Sequence, residues 1–516
     1  MRNKYDAVIV GGGHNGLVAA CYLARAGRSV LILERQDQLG GASVSQRLFP
    51  DFDARISRYA YLVSLFPERI RRELGLDFRL IDRPVACYTP DGRGGGLLLG
   101  AGDASSDQRQ IAALGPDEWH GYRTLMEKQR AFAELVWDSL LEPLRSRRAW
   151  QEIFRSAGHE QLWQDFVERP LGEVLETHLA SDLLRGTVFT DGKIGSSAGA
   201  HDRSLLQNRT FLYHVIGNRS GQWRVPEGGM GRLVGQLAEC ARRAGVEWRL
   251  GAEVIGSQAA SSGRIAVTFR EKDRELEVEA RDLLWNATPP DRRAPDPSGI
   301  DEGTSFKINM LLERLPQPAD PRITPEQAFA GTFHIDEGYG QLAASRRDAL
   351  AGQIPTTLPG EVYCHTLTDP SILSPELHDR GYHTLTWFGL DLPYALFVAD
   401  NEGAKQTVVS RFLAGLNRHL ATPLETCLAR DRTGRACLEA NSPVDLEREL
   451  GLPRGNIFHK GLSWFFAEDD SEIGRYGVET GQPHVWICGS SARRGGAVSG
   501  IPGRNAAMAI LDSRSG

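Results

Sequence analysis

Short apolar runs and an amphipathic helix alternate at the start of the chain. Residues 5–10 form an apolar run that predicts a buried strand, and residues 16–27 have the apolar spacing of a helix. Residues 30–33 predict the next strand. This order predicts a βαβ unit with parallel strands.

The pattern changes in the middle of the chain and then returns. Residues 116–184 have helical spacing, with apolar positions at Trp119, Tyr122, Leu125, Phe132, Leu135, Val136, Leu140 and Leu144. We interpret them as the core of a helical cap, with a membrane-facing patch as the alternative. Strand-like runs follow at 246–250, 253–255, 265–269, 275–280, 282–287, 306–312 and 383–390, with helices at 231–244 and 405–419. The final pattern is a strand at 485–489, a glycine-rich turn at 493–500 and a helix at 503–511.

A glycine fingerprint lies between the first strand and the first helix. Gly11, Gly13 and Gly16 fill the positions of G-x-G-x-x-G, and Glu34 ends the second strand. These glycines permit a tight turn, close approach of a pyrophosphate and packing of helix on strand. The helix N-terminus offers N–H groups to phosphate, and the acid lies where a ribose hydroxyl binds. The pattern predicts a dinucleotide site.

Composition and charge exclude several classes of protein. The chain of 516 residues has a formal net charge of −6 and a pI near 6.2, so a nucleic-acid partner is not expected. Its seven cysteines are scattered without C-x-x-C, which predicts free thiols in a reducing, cytoplasmic compartment. No apolar run of about 18 residues exists, so no membrane span is predicted. Peripheral membrane contact stays open.

Three segments carry a family resemblance. They are residues 5–17 with 33–35 and 40–42, residues 225–231, and residues 495–507. Together they resemble the phytoene-desaturase-like branch of the amine-oxidase-type FAD flavoproteins, over nearly the whole chain. Residues 445–459 resemble a subgroup that includes pyridine nucleotide-disulphide oxidoreductase domain-containing protein 2. The cysteine pair and second fingerprint of disulfide reductases are absent from the sequence.

The resemblance implies non-covalently bound FAD and a set of residues that hold it. At the pyrophosphate, ribose and flavin edge it implies Gly11, Gly13, His14, Asn15, Gly16, Glu34, Arg35, Gly40, Gly41 and Ala42. Near the adenine and ribose it implies Val254, Asn286 and Ala287, and near the ribityl chain and ring it implies Gly489, Gly496, Ala497 and Val498. Many relatives have His-Pro where this chain has Arg493 and Arg494. A cation there would favour reduced flavin, whereas solvent contact or a carboxylate partner is the alternative.

The resemblance also implies a two-domain α/β fold. We expect a Rossmann-type FAD-binding domain from residues 1–80, 220–300 and 455–516. An inserted α+β substrate or cap domain is expected from residues 81–219 and 301–454, as in amine-oxidase-like flavoproteins. Residues 485–511 are expected to pack beside residues 5–16. The sequence does not predict an oligomeric state.

The catalytic residues are less evident than the cofactor residues. Hydride transfer to flavin N5 is the cofactor's chemistry, and a proton acceptor would come from pocket residues. Tyr363, His365, His383 and His459 are the candidates, each histidine having a structural hydrogen bond as its alternative interpretation. Lys193 could hold a water near N5, but a surface lysine on a turn is favoured. No metal-ligand spacing is present, so no metal is predicted.

The sequence is compatible with three functions. The first is an FAD-dependent dehydrogenase, desaturase or oxidase of a small, largely apolar molecule, with oxygen or a quinone as electron acceptor. The second is a flavin-dependent isomerase without net redox change, and the third is a non-catalytic binding or escort protein. NAD(P)H is not expected as reductant, since only one fingerprint followed by an acid exists.

Overall fold

The computed structural model describes residues 2–289 and 301–513 of the chain. Strands within these residues are β1 (Lys4–Val10), β2 (Val30–Leu33), β3 (Ser45–Gln46), β4 (Ile56–Ser57), β5 (Leu80–Ile81), β6 (Cys87–Pro90), β7 (Gly96–Leu99), β8 (Val225–Pro226), β9 (Glu247–Arg249), β10 (Ala252–Ala259), β11 (Ile265–Glu271), β12 (Arg274–Trp285), β13 (Phe306–Leu312), β14 (Thr332–Ile335), β15 (Gly360–Tyr363), β16 (His383–Gly389), β17 (Leu438–Asn441) and β18 (Val485–Ile487).

The described residues also form α-helices of four to nineteen residues. They are α1 (His14–Arg25), α2 (Glu68–Leu74), α3 (Ala104–Ala112), α4 (Glu118–Val136), α5 (Arg147–Ser156), α6 (Glu160–Trp163), α7 (Leu171–His178), α8 (Asp182–Phe189), α9 (Leu206–Val215), α10 (Met230–Arg243), α11 (Pro325–Phe329), α12 (Tyr339–Leu350), α13 (Pro375–Asp379), α14 (Asn401–Asn417), α15 (Pro443–Leu450) and α16 (Ile501–Asp512). The helical spacing predicted for 116–184 corresponds to α4 through α8.

One sheet, here the nucleotide sheet, contains the strand of the glycine fingerprint. Its order is β10-β11-β12-β1-β2-β9, and β18 also pairs with β12. The strands β9, β2, β1, β12 and β18 run parallel, so their carboxyl ends meet at one edge. Fully buried runs such as Val30–Leu33 suit strands covered on both faces.

The strand β12 differs from the sequence prediction. Separate strands were expected at 275–280 and 282–287, but β12 is continuous over Arg274–Trp285. Its first half pairs with β11 as a hairpin, and its second half pairs with β1 and β18. One strand takes part in both the hairpin and the parallel ladder, because the hairpin continues directly from the central parallel strands.

The second sheet, here the cap sheet, has seven strands in the order β17-β13-β16-β15-β14-β6-β7. It is largely antiparallel, with one parallel pair between β14 and β6. Its β13 is buried at every position, and its apolar face packs on a core that includes Phe306, Trp387 and Phe412. The opposite face turns toward the glycine-rich edge of the nucleotide sheet, and a cavity lies between them.

The strands of the nucleotide sheet come from the beginning, middle and end of the chain, and those of the cap sheet come from between. The short pair β5–β8 also brings residues 80–81 beside residues 225–226. The expected domain limit at residue 300 lies outside the described residues, and the residue boundaries stay a prediction.

The last helix packs directly on the first. A β-carbon at Gly503 of α16 would lie 2.1 Å from the carbonyl oxygen of Asn15 in α1. Residues 485–511 therefore pack beside residues 5–16, as expected. This contact holds the second glycine-rich turn next to the fingerprint.

Two smaller expectations concern membranes and cysteines. Among the described residues, no helix is both long and apolar enough to cross a bilayer. All seven cysteines are free and buried.

We predict that Gly503→Ala destabilises the protein by about 1–3 kcal/mol, because the added methyl group overlaps the backbone of α1. Urea unfolding measures the change. The control is Gly235→Ala in α10, where an added β-carbon meets nothing within 4 Å. It should stabilise the helix by about 0.5–1 kcal/mol. Equal effects of the two substitutions would contradict the packing of α16 on α1.

Candidate functional site: a glycine-rich cradle and the cavity beside it

The fingerprint glycines form a turn at the carboxyl end of β1. Gly11 has φ of +97°, which glycine adopts without strain. A β-carbon on Gly16 would lie 2.6 Å from the carbonyl oxygen of Gly11. Helix α1 begins at His14 without a side-chain cap, so its first N–H groups are available to a phosphate.

Glu34 lies beside this turn and is 6% exposed. Its Oε2 accepts a hydrogen bond from the Gly12 N–H at 2.6 Å, and its Oε1 accepts one from the Gln36 N–H at 2.8 Å. The carboxylate thus fixes the fingerprint loop at the end of β2. This is the position predicted for a group that contacts a ribose.

Three other predicted segments meet the fingerprint. The Gly40 N–H donates to the Gly12 carbonyl at 2.9 Å, and Asn286 Nδ2 donates to the Gly11 carbonyl at 3.1 Å. A β-carbon on Gly489 would lie 2.0 Å from the Asn286 carbonyl oxygen. Segments from the beginning, middle and end of the chain therefore pack closely around the fingerprint turn, and we call this backbone arrangement the cradle. Gly41 and Ala42 follow Gly40 in the sequence, and Ala287 follows Asn286.

The turn before α16 joins the cradle through His14. Its Nε2 lies 3.1 Å from the Ala497 carbonyl oxygen, and its Nδ1 lies 3.2 Å from Ser43 Oγ. Burial lowers the pKa of His14 to about 4, so the ring is neutral at pH 7. Ala497 and Val498 line the cavity beside the cradle, and Gly496 precedes them with φ of +87°.

Three other expected cofactor residues lie at the edge of the cradle. Arg35 is exposed and donates to the Glu449 carbonyl at 2.8 Å. Val254 lies on β10 and packs on the core of the nucleotide sheet. Asn15 is 2% exposed in α1, and its Oδ1 is buried without a hydrogen-bond partner among the described residues.

Neither arginine before the last glycine turn lines the cavity. Arg493 forms ion pairs with Glu468 and Glu472, as the carboxylate alternative predicted. Arg494 is 8% exposed and donates to the carbonyls of Ser139 and Glu142 at 2.6 and 2.7 Å. Both side chains brace the turn against neighbouring chain segments.

A cavity of about 720 Å³ extends from the cradle to the cap sheet. Its cradle end includes His14, Ala42, Ala497 and Val498. Aromatic side chains line its walls, namely Tyr61, Tyr122, Tyr213, Trp223, Phe388 and Phe458. Such a mostly apolar pocket with a few polar groups is typical of a small-molecule site.

The structure separates the four catalytic candidates into two pairs. Tyr363 and His459 line the cavity, whereas His365 and His383 do not. His365 is 7% exposed and stacks on Tyr363 with a centroid distance of 5.9 Å. Its side chain therefore supports the cavity wall from behind.

His383 and His459 each have a structural partner. His383 Nδ1 lies 3.1 Å from Thr366 Oγ1 at the start of β16, which keeps the ring away from the cavity. His459 Nδ1 lies 2.9 Å from Thr288 Oγ1. Burial lowers the pKa of His459 to about 4, so this cavity-lining ring is neutral at pH 7.

The prediction that Lys193 is a surface lysine is wrong. Lys193 is 1% exposed and forms an ion pair with Asp391 at 2.5 Å, and it does not line the cavity. The lysine that does so is Lys307 on β13. Its Nζ donates to the carbonyls of Ser57 and Tyr59, both at 2.8 Å, and burial lowers its pKa well below the usual value.

The part of the cavity beside β15 is acidic. Glu361 is 4% exposed, and its Oε2 accepts a hydrogen bond from the Tyr363 hydroxyl at 2.5 Å. Burial, reinforced by the nearby Glu337, raises the pKa of Glu361 to about 8. Asp191 also lines this part, and burial raises its pKa to about 7.

A buried histidine lies between these acids. Glu361 and His334 are directly opposite on β15 and β14, and His334 Nδ1 forms an ion pair with Glu337. Burial opposes the charged form of His334, but the Glu337 carboxylate outweighs it and raises the pKa well above the usual value. Ligand atoms of His334, Glu337 and Glu361 lie within 4.8 Å of one another, a grouping that could hold a metal ion.

The cradle fits the phosphates and the flavin of a dinucleotide cofactor. Its glycines leave no room for β-carbons where backbone segments meet, as at Gly16 and Gly489. The N-terminus of α1 supplies uncapped N–H groups, and the cavity begins where Ala42 and Ala497 would meet a ring system.

Comparisons with known proteins agree with this assignment. A family model described as an NAD(P)-binding Rossmann-like domain matches residues 9–73. The chain is 43% identical to the uncharacterized protein Rv0897c of Mycobacterium tuberculosis, over 98% of this chain and 97% of that protein. It is 29% identical to pyridine nucleotide-disulfide oxidoreductase domain-containing protein 2 of Rattus norvegicus, over 99% of this chain and 94% of that protein.

The chain belongs to the same family as Rv0897c. Among solved structures, cyclohexylamine oxidase from Brevibacterium oxydans matches with a TM-score of 0.56 at 16% identity, over 99% of this chain and 100% of that one. This likeness confirms the expected amine-oxidase-like α/β fold with a Rossmann-type domain.

The sequence analysis missed most of the charged residues of the cavity. Lys307, Glu361 and His334 occupy positions in strands that are mostly apolar, namely β13, β15 and β14. A charged residue within an apolar strand is the signal that could have found them, since burial of a charge requires a partner or a function. Asp191 gave no comparable signal, because it lies in a turn.

We predict that Asp191→Asn stabilises the protein at pH 8 and has little effect near pH 4. Its pKa of about 7 in the folded protein exceeds the ordinary value of 3.8. The folded state therefore holds this proton more tightly, and stability falls as pH rises from about 4 through 7. The shift sets an upper limit of about 4 kcal/mol, which water in the cavity reduces.

Thermal unfolding at several pH values measures this effect. The control is Asp379→Asn on an exposed side chain, which should change stability by less than about 0.5 kcal/mol. A gain that does not depend on pH would contradict the assignment to a buried ionising carboxyl.

Proposed function

We propose that the protein is an FAD-dependent dehydrogenase or oxidase of a small organic molecule bound in the 720 Å³ cavity. The observation that carries the proposal is the continuity of this cavity with the glycine cradle at His14, Ala42 and Ala497. A substrate in the cavity would contact the cofactor's ring directly. When bound, FAD supplies a hydride acceptor at N5.

The residues of the chain would position FAD without a covalent bond. Gly11, Gly13 and the N-terminus of α1 would hold the pyrophosphate, and Glu34 the adenosine ribose. The turn of Gly496, Ala497 and Val498, followed by α16, would place the positive end of a helix near the ring. That field would stabilise negative charge on the reduced cofactor.

The aromatic walls would exclude water from the substrate and orient it. Of the two candidates that line the cavity, His459 is the better proton acceptor. Its ring is neutral at pH 7, and one ring nitrogen has no hydrogen-bond partner among the described residues. Tyr363 is less suited, since its hydroxyl already donates to Glu361.

Two alternatives differ in their redox behaviour. A flavin-dependent isomerase would use the same cavity without consuming an electron acceptor, and an escort protein would bind a partner without turnover. The cavity beside the cradle, at about 720 Å³, has the size of a small-molecule site. Oxygen or a quinone is the proposed electron acceptor, and a cytoplasmic location is proposed.

We expect Gly13→Val to abolish copurification of FAD. The added side chain intrudes where a phosphate approaches the backbone, and its β-carbon would lie 2.9 Å from Asn286 Nδ2. Glu34→Ala should weaken binding less, by roughly 1.5–3 kcal/mol for the lost charge-assisted hydrogen bonds. The visible absorption spectrum of each purified protein measures FAD content, with Gly235→Ala as control. Undiminished FAD in the Gly13→Val protein would place the cofactor elsewhere.

We further expect an organic substrate, and not NADH or NADPH, to bleach the flavin. An anaerobic screen of small molecules against the oxidised holoprotein measures this directly. Reduction by a screened compound, followed by reoxidation with oxygen or a quinone, would support a dehydrogenase or oxidase. Rapid bleaching by NADPH would contradict the assignment of the reductant, and turnover without any acceptor would favour the isomerase.

A further inference from the structure

The charges around the cavity are distributed unevenly along the cap sheet. Lys307, Phe388, Glu361 and His334 form one row across four adjacent strands, β13, β16, β15 and β14. All four side chains line the cavity. Adjacent strands are about 4.8 Å apart, so Glu361 lies roughly 10 Å along the row from Lys307.

The lysine marks the cradle end of this row. Its Nζ binds the carbonyls of Ser57 and Tyr59, and the next residue, Ala60, donates its N–H to the Ala42 carbonyl at 3.0 Å. Ala42 is a cradle residue that lines the cavity. Glu361, two strands farther along the row, therefore lies farther from this contact than Lys307 does.

The acidic part of the cavity has more carboxylates than available cations. Glu361, Asp191 and Glu337 are within electrostatic range of one another. His334 is already paired with Glu337. Arg83 lines the cavity and its charge acts on Asp191, but its hydrogen bonds go to the Thr332 hydroxyl at 2.8 Å and the Trp223 carbonyl at 3.1 Å. Two cations thus face three carboxyl groups.

Several carboxylate oxygens here have no donor. Glu361 receives one hydrogen bond, from Tyr363, and its second oxygen has no hydrogen-bond partner among residues 2–289 and 301–513. Asp191 receives none through its carboxylate within the same residues. Glu337 is 1% exposed, and its Oε1 is buried without a partner in the described chain. The unpaired oxygens of Glu361 and Asp191 belong to side chains that line the cavity, so a ligand there could supply their donors.

We propose that the acidic part of the cavity binds a protonated primary amine of the substrate, with Glu361 and Asp191 as acceptors. An ammonium group carries three donors and one positive charge, which matches the unpaired oxygens and the excess of carboxylates. The rings of Tyr61 and Tyr363 already face Lys307 and Arg83, and Trp223 supplies a further cavity-lining ring that favours a cation and its carbon chain.

The position of Glu361 implies that the ammonium group holds the substrate in place and is not the group that is oxidised. Because Glu361 lies two strands farther along the row than Lys307, the carbon skeleton extends from the ammonium toward the cradle. This inference rests on the proposed function only in taking the cavity as the substrate site. It narrows the substrate from a largely apolar molecule to one with an apolar body and a cationic end.

A metal ion at His334, Glu337 and Glu361 is the competing occupant. The structure favours the amine, because His334 Nδ1 and Glu337 Oε2 already satisfy each other. A metal would have to break that pair, whereas an ammonium group between Glu361 and Asp191 would leave it intact.

The test measures binding of three probes of equal length to the FAD-loaded protein near pH 8. They are hexylamine, 1-hexanol and hexanoate, with affinity determined by calorimetry and by perturbation of the flavin spectrum. Hexylamine should bind at least about tenfold more tightly than 1-hexanol, as expected for a charge-assisted hydrogen bond of about 1.5–3 kcal/mol. Hexanoate should bind more weakly than either.

Three variants locate the site. Glu361→Gln and Asp191→Asn should each weaken hexylamine binding about 10- to 100-fold and change 1-hexanol binding less than about twofold. Asp191→Asn keeps the test decisive if Glu361→Gln fails to fold, because Asp191 makes no hydrogen bond through its carboxylate within the described chain. The control is Glu313→Gln, an exposed position just after β13, which should change neither affinity.

Several outcomes would overturn the proposal. They are equal affinity for hexylamine and 1-hexanol, loss of hexylamine binding in all three variants alike, or stoichiometric binding of Zn²⁺ or Mn²⁺ that Glu361→Gln abolishes without any preference for the amine. Failure of the proposed redox function is distinguishable. Amine binding without flavin reduction by any substrate would leave the cation site and reject the oxidoreductase proposal.

Discussion

Close contact between backbone segments around the fingerprint turn is the constraint on which the rest of the structure depends. Gly11, Gly16, Gly489 and Gly503 each face a carbonyl or amide of another segment at a distance that excludes or crowds a side chain. These contacts join β1, β12, β18 and the two helices α1 and α16 at one edge of the nucleotide sheet. Phosphate-binding N–H groups and the turn before α16 come together only because these segments can touch. The intervening residues then fold as an insertion that covers this edge.

The insertion places a polar surface against that edge, and this is energetically demanding. A sheet face with Lys307, Glu361 and His334 cannot be buried like the opposite apolar face, which packs around Trp387 and Phe412. The structure compensates some charges internally, by carbonyls for Lys307 and by Glu337 for His334. The uncompensated remainder faces the cavity. Retention of such groups is more readily explained by a ligand than by stability, since buried charge alone destabilises.

The sequence predicted the cradle well because its determinants are local. Gly11, Gly13, Gly16 and Glu34 lie within one βαβ unit, and their spacing specifies the turn and the strand end without reference to other segments. The cavity could not be predicted in this way. Glu361 and His334 meet through the register of β14 and β15, which no spacing along the chain encodes. Lys193 was misassigned for a related reason, because its burial depends on Asp391, which is 198 residues away.

The catalytic candidates show the same division between local and long-range information. The alternating patterns of residues 362–366 and 381–386 suggested half-buried strands, but an alternating pattern does not say which face meets the cavity. Tyr363 and His365 lie two residues apart and share a stack, yet only Tyr363 reaches the cavity, because β15 ends at that residue. A one-turn helix at His365 then redirects the chain. The end of a strand, set by the fold and not by the residue type, therefore decides which side chain can contact a substrate.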